Sequence, residues 1–182
     1  GMVLAFLALY LKEALHFGLG EIGYITACFG VGAIAGAFAG GWLTDRFGYF
    51  AVQFGSLALN GVLLIALLEV KTFWPMIAFM LMLGFITEVF RPANSVAVLR
   101  ASSASNRTRA YSLVRLSFNI GWTVAPAIGG VVAYYFGWAW LFWADGLTCL
   151  AAAAFLWWRG PRDLGAASAP AAPSQPATVA SA

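Results

Sequence analysis

Four ionisable residues stand inside stretches otherwise too apolar to carry them: Glu88, Arg91, Arg115 and Asp145. On membrane-insertion scales a charge near the bilayer centre costs about 2.5–3.5 kcal/mol, so such residues are functional suspects by default. Glu88 and Arg91 are three apart and share a helix face, which sets a carboxylate beside a guanidinium. Two readings of this pair stand: a structural ion pair at the membrane interface, or a gate or proton-linked carboxylate. Arg115 shares a face with Asn119, and an antiparallel neighbour could bring Arg115 to Glu88. Asp145 has no base nearby in sequence. It either lines a water-filled cavity, the favoured reading, or caps a neighbouring helix. Asp45-Arg46 forms a charged turn closed by Gly48.

Other chemistry is missing from the sequence. There is no Cys/His metal cluster, no G-x-S-x-G, no H-E-x-x-H and no phosphate-binding loop. The single histidine, His16, leaves little general-base chemistry. The expectation is a protein that is not an enzyme and holds no metal or cofactor. Cys28 and Cys149 share no ligand spacing and read as packing residues. No stretch interleaves basic and aromatic residues in a polar context, which argues against nucleic acid as a partner.

The elements that must position these residues follow from composition. Of 182 residues, 62% are hydrophobic and only 9% charged. A soluble domain carries about 25% charged residues, so this chain is expected in a lipid bilayer. The uncharged runs Ile22–Thr44 and Phe47–Leu68 each exceed the ~20 residues that cross a bilayer. Leu116–Ala144 is longer still, and with the residues after it must hold two spans. The reading is an all-α membrane bundle over 1–159. It has a truncated first helix at 1–11 and spans at about 22–43, 47–68, 73–97, 111–136 and 138–158. Residues 160–182, rich in Ala, Pro and Ser, read as a flexible linker or tail.

Gly32, Gly36, Gly40, Gly41, Phe47 and Gly48 return 89 residues later as Gly121, Ala125, Gly129, Gly130, Phe136 and Gly137. Small residues every fourth position let membrane helices approach closely. Pro126 bends the second copy, either as a packing kink or as a pivot between conformations. Lys12 and Lys71 stand on one side of the bundle, against eight arginines on the other. That bias places the Asp45 turn and the tail in the cytoplasm. The two copies then lie in oppositely oriented spans, an inverted repeat of the kind common in secondary transporters.

The segment Gly41-Trp42-Leu43-Thr44-Asp45-Arg46-Phe47-Gly48 resembles the cytoplasmic motif between helices two and three of the major facilitator superfamily. Tyr49-Phe50 stand where that family usually has two basic residues. Gly121–Gly130 is similar to the helix-five motif of proton-driven antiporters, with Ala125 where glycine is usual. Gly84–Pro92 looks like helix four of bacterial drug-efflux members, and Met80 stands where many antiporters carry an arginine.

The resemblance implies the N-terminal six-helix half of such a bundle, about five and a half helices long, in the bacterial inner membrane. It implies a gate at Gly41, Asp45, Arg46 and Gly48, with Glu88 as the partner of Arg46. It implies a bending, sealing segment at Gly121, Pro126, Gly129 and Gly130. It also implies a small-molecule substrate exchanged for protons, and a missing C-terminal half as partner. The alternatives are a symporter for a sugar or metabolite, and a half-size membrane protein with a structural or interaction role.

Overall fold

In lipid the backbone finds no water to bond, so long apolar runs satisfy their own N–H and C=O groups by winding into helices. The computed structural model describes the backbone of residues 2–103 and 105–167, and side-chain surroundings for 3–103 and 105–160. The described elements are α1 (Met2–Glu13), α2 (Leu19–Phe47), α3 (Tyr49–Ala66), α4 (Phe73–Ala101), α5 (Arg107–Phe136) and α6 (Trp138–Ala167). A short 3-10 turn, Leu67–Glu69, extends α3. Five helices are long and apolar enough to cross a membrane.

Several helix ends differ from expectation: α2 runs to Phe47 rather than 43, α4 to Ala101 rather than 97, and α5 starts at Arg107 rather than 111. The Glu21 side chain accepts the Gly18 N–H at 2.9 Å, so α2 starts at Leu19 rather than at residue 22. That bond satisfies a donor the helix start would otherwise leave free. At the other end α6 continues to Ala167, so residues 160–167 of the expected tail are helical. Pro161 removes only one N–H, and Arg162, Leu164, Ala166 and Ala167 all favour helix. Residues 168–182 lie outside the described residues.

The glycine ladder of α2 has a definite partner. A Cβ at Gly32 would strike the Leu81 carbonyl, and one at Gly36 the Phe85 carbonyl. One at Gly40 would sit 3.0 Å from the Val89 Cα. Each pair is 49 residues apart. A constant offset means that α2 and α4 run parallel, turn against turn. Gly84 answers from α4, where a Cβ would strike the Phe29 carbonyl. Backbone lies directly on backbone along three turns, as small-residue membrane interfaces allow.

The repeat is equally explicit. The Gly48 N–H bonds Thr44 O, and the Gly137 N–H bonds Ala133 O, 89 residues on. Gly48 (φ 83°, ψ 149°) and Gly137 (φ 87°, ψ 170°) share a conformation open almost only to glycine. Each is followed at once by the next helix, α3 or α6. The helix contacts match in the same way: α2 with α4 corresponds to α5 with α1. Helices α3 and α6 pair with each other. A Cβ at Gly61 would meet the Leu150 side chain at 2.8 Å, and these two residues are also 89 apart. Equivalent residues that touch lie next to the axis relating the copies. Gly48→Ala and Gly137→Ala should therefore cost alike, about 1–3 kcal/mol each. Thermal unfolding of the two variants in detergent checks this, and a loss confined to one would break the equivalence.

The main apolar core lies toward the end of the bundle opposite Gly48. Leu11, Ile25, Leu67, Met76, Met80 and Phe142 are fully buried there. Met80 thus packs in hydrocarbon where many antiporters carry a base. A smaller cluster, Val52, Val89 and Ala93, closes the Gly48 end. The second half of α4 between them carries the polar residues.

A candidate transport site along the inner half of α4

Arg91 lies about 27 Å along α4 from Phe73, near the end of the span. Its Nε stands 2.9 Å from Glu88 Oε2. The Glu88 side chain is 22% exposed and that of Arg91 63%, so the carboxylate faces inward and the guanidinium outward. Pro92 lacks the N–H that would bond the Glu88 carbonyl, which loosens this turn.

Glu88 borders a cavity of about 440 Å³ inside the bundle, together with Ser56, Asn60, Thr87 and Arg91. Asn60 Oδ1 is buried without a hydrogen-bond partner among the described residues. About two turns toward the Gly48 end, Gln53 Nε2 donates to Asn94 Oδ1 at 3.1 Å and ties α3 to α4. Such interhelical bonds in membranes contribute about 0.6 kcal/mol. Sequence reasoning alone misses Gln53, Asn60 and Asn94. The available signal is Gln53, Ser56 and Asn60, spaced to share one face of an uncharged span.

On its outer side α4 faces α5. The Tyr111 hydroxyl donates to Ser95 O at 3.0 Å and sets the antiparallel register. That register places Arg115 level with Arg91, one turn from Glu88. Both arginines line a cleft of about 430 Å³ with Asn94 and Tyr111. The cleft continues into an apolar section of about 560 Å³ walled by Phe90, Trp122 and Pro126. Asn94, Val114 and Phe118 line both sections. The Arg115–Glu88 contact does not form; among the described residues Glu88 pairs with Arg91 alone.

The Asp45 turn is arranged differently from expectation. The Arg46 guanidinium lies 5.5 Å from the Trp42 ring centre and 5.9 Å from that of Phe47. It therefore takes aromatic faces instead of Glu88, whose carboxylate Arg91 already holds from one turn away. Asp45 is exposed. Arg100, near the end of α4, lies 5.5 Å from the ring of Tyr49 at the start of α3. A cation on α4 thus meets an aromatic at the position where the family usually has a base.

The α5 motif is only partly close-packed. Gly129 is buried, and a Cβ at Gly130 would sit 3.4 Å from Phe6 of α1. Gly121, the counterpart of Gly32, has no neighbour within 4 Å of a Cβ. Pro126 lines the apolar cleft. Asp145 Oδ2 accepts the Val3 N–H at 3.1 Å, and the residue is 6% exposed. Asp145 is therefore not brought to Glu88, Arg91 or Arg115.

A family model described as Major Facilitator Superfamily matches residues 1–181. Three relatives each bear the name "Putative multidrug resistance protein MdtD". The protein from Serratia proteamaculans is 29% identical over 104 residues, covering 57% of this chain and 22% of the relative. That from Yersinia enterocolitica is 28% identical over 104 residues, with the same coverage. That from Cronobacter sakazakii is 25% identical over 123 residues, covering 68% of this chain and 26% of the relative. The aligned part of this chain thus spans only about a quarter of the length of these relatives.

Proposed function

This chain belongs to the Major Facilitator Superfamily, and on that premise we propose that it is part of a secondary active transporter that exports a small organic molecule in exchange for protons by alternating access. The observation that carries this reading is the Glu88–Arg91 pair, set between the inner cavity and the α4–α5 cleft. A proton on Glu88 removes the charge that holds Arg91. Protonation and the freedom of Arg91 to turn from Glu88 to a ligand in the cleft are then linked. The relatives' name, a putative multidrug resistance protein, supports a small organic molecule as the substrate and says nothing of protons.

The arginine bias supports a cytoplasmic Asp45 turn and tail in the inner membrane of a bacterium. Gly41, Asp45, Arg46 and Gly48 would act there as a gate against a second half of the same protein. Gly121, Pro126, Gly129 and Gly130 would bend α5 as that surface opens. The cleft would form one wall of the substrate cavity, with the second half as the other.

Everted membrane vesicles containing the protein, with a preset acid-inside gradient, provide the test. Adding a transported organic molecule is expected to dissipate the gradient, as exchange requires. A lumen that acidifies further means symport and overturns the direction proposed. No response across cationic, neutral and anionic compounds overturns proton coupling.

A further inference from the structure

The α4–α5 cleft has two chemically distinct ends. Its apolar end is walled by aromatic and aliphatic groups, with Gly121 leaving room for a ligand. Its other end holds two guanidiniums, and the one carboxylate paired with either is Glu88, which lines the inner cavity instead. Among the described residues no carboxylate pairs with Arg115. Asn94 and Tyr111 add polar groups between the arginines. An organic cation would meet the charge of Arg115, with which no carboxylate pairs among the described residues. A fully neutral molecule would leave Arg115 without an anionic partner.

We propose that the cleft binds an amphiphilic organic anion, its apolar body against Phe90 and Trp122 and its acidic head between Arg91 and Arg115. This deepens the transport reading by naming its substrate class, and it rests on that reading. A planar guanidinium matches a carboxylate or sulfonate by two parallel hydrogen bonds. Arg91 would be shared between Glu88 and the ligand head, while Arg115 belongs to the ligand alone.

The experiment measures binding, so its failure is distinguishable from a failure of exchange in vesicles. The whole protein that contains this chain is placed in nanodiscs of zwitterionic lipid and titrated calorimetrically with phenylbutyrate, phenylbutanol and phenylbutylamine. The acid is expected to bind about tenfold tighter than the alcohol, the size of one charge-assisted hydrogen bond, and the amine weakest. Arg115→Gln should remove the acid's advantage, and an unshifted thermal unfolding transition shows that the variant is folded. An acid no tighter than the alcohol overturns the proposal, as does an unchanged preference in Arg115→Gln. A third arm adds phosphatidylglycerol to the disc at an ionic strength that screens the surface potential. Loss of the acid's advantage there assigns the arginines to lipid headgroups and overturns the small-molecule assignment. Its persistence supports the proposal.

Discussion

Gly36→Leu is expected to yield no monodisperse bundle in detergent. Even the first carbon of the new side chain would strike the Phe85 carbonyl of α4. Overpacking a core usually costs about 1–3 kcal/mol, because neighbouring side chains can turn aside. Here the neighbour is backbone within a helix, and it cannot turn. The helices would have to part, and Gly32 and Gly40 would lose their contacts together because all three lie on one stripe. Size-exclusion chromatography of a fluorescent fusion measures the outcome, with Gly30→Ala as control. Gly30 has nothing within 4 Å of a Cβ and should behave as wild type. A sharp Gly36→Leu peak at wild-type yield would show that α2 and α4 are not packed backbone to backbone.

Glu88→Gln is expected to abolish proton-coupled transport while leaving the bundle intact. Glutamine keeps the shape and can still accept a hydrogen bond from Arg91, but it takes no proton. The lost ion pair is a single i,i+3 pair with a largely exposed partner, so stability should change by about 0.5 kcal/mol or less. Gradient dissipation in everted vesicles and thermal unfolding read the two effects separately. If Glu88→Gln still dissipates the gradient on adding substrate, the pair is structural and the proton resides elsewhere. If unfolding shifts strongly as well, the pair holds the bundle together and the transport loss says nothing about protons.

Much of this was legible in the sequence, because the signals were local. Uncharged runs force helices, and spacing alone placed Glu88 and Arg91 on one face. The 89-residue recurrence marks both glycine-capped turns in the sequence itself. Long-range partners were not legible. A stripe of glycines says that something comes close, but not that α4 does. Spacing offers Glu88 the same-face Arg91, the family resemblance offers Arg46 and an antiparallel neighbour offers Arg115; the structure pairs it with Arg91, the shortest reach. The Gln53–Asn94 bond joins residues 41 apart, each unremarkable in its own segment. Asp145 had no basic neighbour in sequence, and its partner was a main-chain amide 142 residues away, which carries no side-chain signature. Gly121 shows the limit of arguing by repeat: its equivalent Gly32 is crowded, while Gly121 borders open space.

The stripe between α2 and α4 also has a mechanical side. Two parallel helices keyed together at every turn resist shear, since sliding either one drives a carbonyl into a Cα. They behave as one beam. The α5 side has no such keys against α4; it has a proline, an open glycine and a cleft several hundred cubic ångströms in size. Compliance in this half of the molecule is therefore lopsided. A load on the bundle deforms the α4–α5 seam before it bends the beam, and the walls that give way first are those that carry the arginines.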